Sequence, residues 1–123
     1  MDINTYKSLV FKTEADFQIA TNRFINFNFP ELRHFYFHIP NESATSDLMR
    51  LKLHAMGILP GVPDFCFLLP FTWFLELKLP NGKLSPKQLS LHKLWESKKI
   101  PVFTAFNQID VINILHNCTN KTI

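Results

Sequence analysis

Helical and strand periodicities alternate along this chain. The first helical pattern begins near Thr13, a residue type that caps helices, and two acids follow it in the first turn. Apolar residues then recur at helical spacing. They predict a buried stripe made of Phe17, Ala20, Phe24 and Phe27.

The first strand pattern lies between His34 and Ile39, where side chains alternate with a period of two residues. The more apolar side of this strand carries Phe35, Phe37 and Ile39. The other side carries His34, Tyr36 and His38. A pair of histidines lacks the third ligand that a metal site needs, so we interpret His34 and His38 as partly exposed strand positions.

The rest of the pattern predicts three more helices and three more strands. In chain order they are a helix over 47–56 closed by Gly57, strands over 64–69 and 73–79, a helix that starts at Ser85 and Pro86, a strand over 100–106, and a helix from Asn107 to about His116. Pro70-Phe71 turns the second strand back, so it is expected to pair antiparallel with the third. The helix after the third strand forms a crossover, which usually joins parallel strands. The predicted fold class is α/β, a mixed β-sheet flanked by helices, in the order α-β-α-β-β-α-β-α.

Length and composition agree with a single domain over residues 1–123, with a core from about 13 to 116. The thirteen phenylalanines predict a bulky aromatic core. Because no run has the length of a membrane span and residues 1–10 lack a signal-peptide pattern, we expect an intracellular protein with no membrane partner. Cys66 and Cys118 have no paired spacing and are expected to be free thiols. His54 and His92 are expected on helix surfaces.

The third strand presents the candidate chemistry. Glu76 and Lys78 share one face of it, roughly 7 Å apart along the backbone. Asp64 follows the rigid Gly61-Val62-Pro63 turn at the start of the neighbouring strand. A Glu-x-Lys alone is usually a surface ion pair and a Pro-Asp alone a turn, but their order along two paired strands predicts a metal site. The opposite, core-facing side of the third strand carries Trp73, Leu75, Leu77 and Leu79.

Phosphodiester hydrolysis needs a cation that neutralises charge on the phosphate and activates a water. Magnesium prefers one or two carboxylates, which Asp64 and Glu76 can supply, and the backbone carbonyl of Leu77 is a further candidate ligand. Lys78 can orient or deprotonate the water, or stabilise the charge that builds on phosphorus. Glu14 joins the metal, directly or through water, if the first helix passes the same face.

Together these residues resemble the virus-type replication-repair nucleases, or VRR-NUC domains, of the PD-(D/E)xK nuclease superfamily. The resemblance covers about Glu14 to Leu115 and lies in the order and spacing of motifs. One departure is Ser97-Lys98-Lys99, where many relatives have a glycine turn. The matching motifs are Glu14 and Gln18, His38-Ile39-Pro40-Asn41, Gly61-Val62-Pro63-Asp64, Glu76-Leu77-Lys78, Gly82, Leu84-Ser85-Pro86 and Gln88.

The resemblance implies a restriction-endonuclease-like core and a DNA endonuclease that depends on Mg²⁺ or Mn²⁺. It implies Asp64 and Glu76 as metal ligands and Lys78 as the catalytic lysine. Glu14 becomes the helix-borne acid near the metal. Gln88 becomes a further active-site residue that positions Lys78, the water or the phosphate.

Stand-alone members of this family resemble Holliday junction resolvases, which implies a symmetric homodimer acting on branched DNA in replication, repair or recombination. The net charge of +3 permits phosphate contacts, and Lys83 and Lys87 flank the proposed site as candidate DNA contacts, although a solvated helix end explains them equally well. No aromatic pattern marks a base-reading surface, so we expect recognition of DNA shape. Two other interpretations stay open, a non-catalytic nucleic-acid-binding module with the nuclease fold and a structural or partner-binding protein.

Overall fold

The computed structural model describes residues 1–40 and 46–123, so Asn41 of the matching motifs lies outside the described residues. The described helices are α1 (Ile3–Ser8), α2 (Glu14–Asn28), α3 (Asp47–Ala55), α4 (Pro86–Ser97) and α5 (Gln108–Thr119), with a 3-10 helix over Pro30–Leu32. The described strands are β1 (Tyr36–His38), β2 (Phe65–Phe67), β3 (Trp73–Leu77) and β4 (Val102–Ala105). Apart from α1 and the 3-10 helix, this is the predicted order of elements.

The four strands form one mixed sheet in the order β1-β2-β3-β4. β2 pairs antiparallel with both β1 and β3, whereas β3 pairs parallel with β4. The predicted antiparallel turn and the predicted α4 crossover are therefore both confirmed. Leu75 of β3 lies opposite Phe65 on one side and Phe103 on the other. β3, which carries the candidate chemistry, is thus an inner strand held from both sides.

Side-chain caps start the helices at the predicted residues. The Thr13 hydroxyl accepts a hydrogen bond from the backbone N–H of Asp16 at the start of α2. Ser85 starts α4 with a reciprocal capping box, in which its hydroxyl accepts from the Gln88 N–H and the Gln88 side chain accepts from the Ser85 N–H. Such caps contribute about 0.5–2 kcal/mol each. They fix the first turns of α2 and α4, which both reach the candidate site.

Helices cover both faces of the sheet. On one face, Trp73, Leu75 and Leu77 are fully buried beside α2 and α5. On the other face, Phe74 packs against Trp95 of α4, with ring centroids 4.8 Å apart. Burial of each large apolar side chain contributes about 1.5–3 kcal/mol. Because strand side chains alternate, Glu76 lies on the Phe74 face and is carried into the interior beneath α4.

The sequence pattern missed α1. Asp2 caps this helix, and its buried residue, Tyr6, stacks on Phe24 and hydrogen-bonds to Thr21 of α2. Six residues are too few to show a helical period, and so short a helix is stabilised by tertiary packing rather than by its own propensity.

The pattern predicted Phe27 in the buried stripe of α2, and this prediction is wrong. It is 62% exposed, because the buried side ends with Phe24 and Ile25. A helix turns 3.6 residues per revolution, so Phe27 lies about 200° round the axis from Ile25.

The strand predicted over 34–39 is shorter, and its faces are reversed. His34 has a φ of +73° and lies in the turn before β1. Tyr36, on the less apolar side, packs toward α2, where its hydroxyl donates to Asn22 and Asn26. Phe37, on the more apolar side, is 51% exposed. The pattern failed here because the Tyr36 ring stacks on Phe67 of the core while its polar hydroxyl is satisfied by α2.

The cysteines and the length of the helices can be compared with the sequence predictions. Cys66 and Cys118 are buried free thiols, as predicted, and burial raises the pKa of both. No helix among the described residues is both long and apolar enough to span a bilayer.

Candidate active site

The turn over 61–64 delivers Asp64 to the start of β2. Gly61 is buried and has a φ of +89°, a conformation that favours glycine. A Cβ atom at this position would lie 2.9 Å from the carbonyl oxygen of Lys87 and 3.2 Å from the backbone nitrogen of Gln88. The turn therefore rests directly on the first turn of α4, and only glycine fits there.

Asp64 is tied to β3 by its carboxylate. Its Oδ2 accepts a hydrogen bond of 2.7 Å from the backbone N–H of Leu77, the residue after Glu76. The pairing of β2 with β3 ends at Phe65 and Leu75, so Leu77 lies beyond the paired register and beside the start of β2. In a strand, the N–H and C=O of one residue point to the same side. The Leu77 carbonyl therefore lies on the edge of β3 that meets Asp64.

Glu76 is a buried carboxylate in close electrostatic contact with Asp64. It is 1% exposed, and its Oε1 has no hydrogen-bond partner among the described residues. Burial raises the pKa of both acids, and the neighbouring charge of Asp64 raises the pKa of Glu76 further. Two ionised carboxylates in this position repel each other and are poorly solvated. A cation held between them would relieve both costs.

Lys78 and Glu14 form the second charged pair of the site. The Lys78 Nζ lies 3.8 Å from Glu14 Oε2, and the two side chains are 12% and 41% exposed. Lys78 also lowers the pKa of Asp64 and of Glu76 through its positive charge, although burial outweighs this effect. Glu14, at the N-terminal end of α2, thus reaches the charged side of β3, which was the condition for Glu14 to join the site.

A cavity of about 250 Å³ opens among these groups. Four elements contribute to its wall: α2, β1, β3 and α4, together with the turn before β2. Neither Lys78 nor Leu77, both predicted site residues, is in the wall, but Lys78 adjoins it through Glu14. The lining residues are Glu14, Ala15, Gln18, His38, Val62, Asp64, Glu76 and Gln88.

His38 belongs to this wall, although the sequence pattern gave it no role. Its Nδ1 lies 2.9 Å from the backbone carbonyl oxygen of Asp64, which also accepts a hydrogen bond from Ile39 N–H. A carbonyl only accepts, so Nδ1 carries the proton of this bond. The one signal in the sequence was the place of His38 within a matching motif.

The sequence predicted His92 on the surface of its helix, and this prediction is wrong. His92 is buried, with 5% of its surface exposed. The prediction failed because α4 is covered at this point by the turn at Gly61, which a helical period cannot reveal. Burial lowers the pKa of His92, which favours a neutral ring. His54 on α3 is exposed, as predicted.

Gln88 has a structural role as well as a place in the cavity wall. Its side-chain oxygen accepts the Ser85 N–H in the capping box. The carboxamide NH₂ is therefore the part that can donate into the cavity. Lys83 and Lys87 are both exposed and do not line the cavity.

The residues present fit magnesium better than a metal that needs a full protein cage. No group of three or more His, Cys, Asp and Glu side chains within residues 1–40 and 46–123 is arranged to hold a metal. Magnesium binds through one or two carboxylates and keeps several waters, so Asp64 and Glu76 suffice for it. The Oε1 atom of Glu76, which is buried and has no hydrogen-bond partner in the described part of the chain, is the ligand atom that supports this fit.

Comparisons with known proteins give a match in structure but none in sequence. No protein-family model matches the chain, and no curated protein matches it. The solved structure of a VRR_NUC domain protein superimposes on it with a TM-score of 0.72, covering 91% of this chain and 92% of that one. The chain has the fold of a VRR_NUC domain protein. Sequence identity between the two is 18%, so the likeness shows the fold alone.

The VRR_NUC match agrees with the architecture predicted from the sequence, a mixed sheet flanked by helices. It also covers nearly the whole length of both chains.

Proposed function

We propose that this chain is a metal-dependent nuclease that hydrolyses phosphodiester bonds in DNA at the cavity beside β3. One observation carries the proposal. A buried acid, Glu76, and a half-buried acid, Asp64, meet at a polar cavity, and the Oε1 atom of Glu76 has no hydrogen-bond partner within residues 1–40 and 46–123. Buried carboxylates are normally paired, hydrogen-bonded or bound to metals. A nuclease fold with such a pair supports metal-dependent hydrolysis over a purely structural role.

Asp64 and Glu76 would hold Mg²⁺ or Mn²⁺, with the Leu77 carbonyl and Glu14 as further oxygen donors. A bound divalent cation supplies a water of lowered pKa and neutralises charge on the phosphate. The protein's contribution is to fix the two carboxylates. The Leu77 N–H holds Asp64 from β3, and the His38 ring holds its carbonyl from β1.

Lys78 is the proposed catalytic lysine. Its side chain is 12% exposed, so its charge is only partly screened by water and would act on a phosphate bound in the adjoining cavity. The ion pair with Glu14 limits the positions of the lysine side chain. The Gln88 NH₂ group is a second donor for the water or the phosphate. Both groups would stabilise charge that grows as the phosphodiester is attacked.

The proposed substrate is branched DNA, and the proposed assembly is a symmetric homodimer with two active sites. The net charge of +3 and the exposed side chains of Lys83 and Lys87 support binding to phosphates. Contacts of this kind do not depend on base sequence, which favours recognition of DNA shape.

The test is cleavage of end-labelled four-way junction, flap and linear duplex by wild type, Asp64→Asn and a control, Asp47→Asn. Asp47 is an exposed acid on α3, so its variant matches the charge change away from the site. We expect wild type and Asp47→Asn to cut with Mg²⁺ or Mn²⁺ and to stop in chelator, whereas Asp64→Asn does not cut. Binding of junctions without cutting under either metal would favour the non-catalytic module instead.

A further inference from the structure

One buried group near the carboxylate pair has no part in the proposed chemistry. His92 lies one helical turn after Gln88 on α4 and is 5% exposed. The ring is close enough to the backbone of Gly61 to interact with it electrostatically, and the charges of Asp64 and Lys78 also act on it. Its Nε2 is buried without a hydrogen-bond partner among the described residues.

A histidine at position 92 stabilises the fold less than an apolar side chain of similar size would. A buried polar atom without a partner costs about 1–3 kcal/mol, and an apolar side chain of similar size would avoid that cost. Leu91 and Trp95, its neighbours on α4, show that the helix accepts large apolar residues here. Proteins break such local rules mainly at functional sites.

The position of the His92 ring suits it to hold the turn over 61–64 against α4. The backbone of Gly61 touches α4 at Lys87 and Gln88, and His92 approaches the same glycine one turn further along. Two contacts from one rigid helix fix both the position and the tilt of the turn. Asp64 is the last residue of that turn and is held to β3 at its other end. A small rotation of the turn would therefore change the separation of Asp64 from Glu76.

We propose that His92 is a positioning residue, which anchors the Gly61–Asp64 turn to α4 and thereby aligns Asp64 with Glu76 for a divalent cation. This inference rests on the proposed function, because the alignment matters only if the two carboxylates share a cation. Loss of a group that orients metal ligands typically weakens metal affinity by about 10–100-fold.

The test compares His92→Leu, His92→Gln and a control, Val111→Ala, with wild type. Val111 is fully buried on α5, on the opposite side of the sheet, so its truncation lowers stability without touching the turn. Thermal unfolding is measured in chelator and through a Mg²⁺ titration, which gives both the fold stability and the Mg²⁺ concentration at half-maximal stabilisation.

We expect His92→Leu to unfold in chelator at or above the wild-type temperature and yet to need at least about tenfold more Mg²⁺. His92→Gln, whose amide can still donate to Gly61, should recover part of the affinity. Val111→Ala should lose stability but keep the wild-type Mg²⁺ midpoint. A wild-type midpoint in His92→Leu would overturn the inference alone. Absence of any Mg²⁺ effect in wild type would overturn the proposed function and this inference together.

Discussion

Glu76 is the residue at which folding and the proposed chemistry conflict most. It lies on an inner strand beneath α4, where its alternate neighbour Phe74 is packed against an aromatic ring. Its carboxylate is almost wholly removed from water and faces the carboxylate of Asp64. The positive charge of Lys78 offsets part of the charge of Glu76, and the Leu77 N–H offsets part of the charge of Asp64. The conflict has a measurable consequence for stability.

Glu76→Gln should raise the stability of the metal-free protein at neutral pH by about 1–3 kcal/mol, because glutamine is neutral in both states whereas Glu76 must take up a proton when the chain folds. The folded-state pKa of Glu76 is raised above its ordinary value, to about 9. A raised pKa means that the folded state binds the proton of Glu76 more tightly than the unfolded state does. Protonation of Glu76 therefore favours folding, so the stability of wild type is highest at low pH and falls as pH rises toward 9.

Urea unfolding in chelator between pH 5 and pH 9 checks this prediction. The difference in unfolding free energy between Glu76→Gln and wild type should grow with pH, and Mg²⁺ should stabilise wild type only. A difference that stays constant or shrinks with rising pH would contradict the buried, proton-binding state of Glu76.

At the scale of elements, the site depends on how the turn over 61–64 meets the start of α4. The turn supplies Asp64, and the helix start supplies Gln88. Gly61 allows the two backbones to touch. The capping box fixes the first turn of α4 that receives this contact. Two pairs of substitutions separate these contributions.

Gly61→Ala should unfold the protein far more readily than Gly57→Ala. Both glycines have positive φ, which costs an alanine about 1–2 kcal/mol. At Gly57 a new Cβ meets open space, whereas at Gly61 it meets the α4 backbone at 2.9 Å. Equilibrium unfolding in urea measures the two losses. Equal losses would contradict the close approach of the turn to α4.

Ser85→Ala and Gln88→Ala distinguish the two roles of Gln88. Each variant breaks the capping box and should lose about 1 kcal/mol of stability. Only Gln88→Ala also removes a donor from the cavity wall. We therefore expect a larger fall in cleavage rate for Gln88→Ala than for Ser85→Ala, measured at saturating Mg²⁺. Equal cleavage rates would assign Gln88 to the cap alone.

The elements that sequence predicted well are those fixed by local chemistry. The caps at Thr13, Ser85 and Asn107 and the alternation along β3 depend on residues within a few positions of each other. The features that it missed depend on distant contacts. α1 exists because Tyr6 packs on α2, and His92 is buried because the turn at Gly61 covers it.

The same distinction between local and distant contacts separates the site residues that the sequence predicted from those that it missed. The order of the motifs predicted Asp64, Glu76, Glu14 and Gln88 as site residues. All four line one cavity in the structure. His38 was expected at a partly exposed strand position, which is confirmed, and it was given no role because a histidine pair lacks the third ligand of a metal site. Its contact is with a backbone carbonyl 26 residues away, and such a contact leaves no pattern in the sequence.

At the scale of the whole molecule, the charge distribution bears on how DNA would bind. The chain has thirteen lysine and arginine residues against ten acids. Two of the acids are withdrawn into the site, where a cation would neutralise them. The exposed surface is thus more basic than the net charge indicates, and Lys83 and Lys87 belong to that surface. This favours binding through phosphate contacts.

Lys83→Ala and Lys87→Ala should each weaken DNA binding for all sequences alike, and each should reduce the slope of log affinity against log salt by about 1. Fluorescence anisotropy with labelled duplex and junction, in calcium to prevent cutting, measures the slope. Lys52→Ala on α3 serves as the control. An unchanged slope in both variants would place the DNA on another surface.

The proposed activity requires Asp64 and Glu76 to bind a divalent cation together. We would measure this by calorimetric titration of Mg²⁺ into wild type, Asp64→Asn and Glu76→Gln, each first shown to be folded. We expect one saturable binding event per chain in wild type and its loss in both variants. Equal binding in all three proteins, or none in wild type, would contradict it.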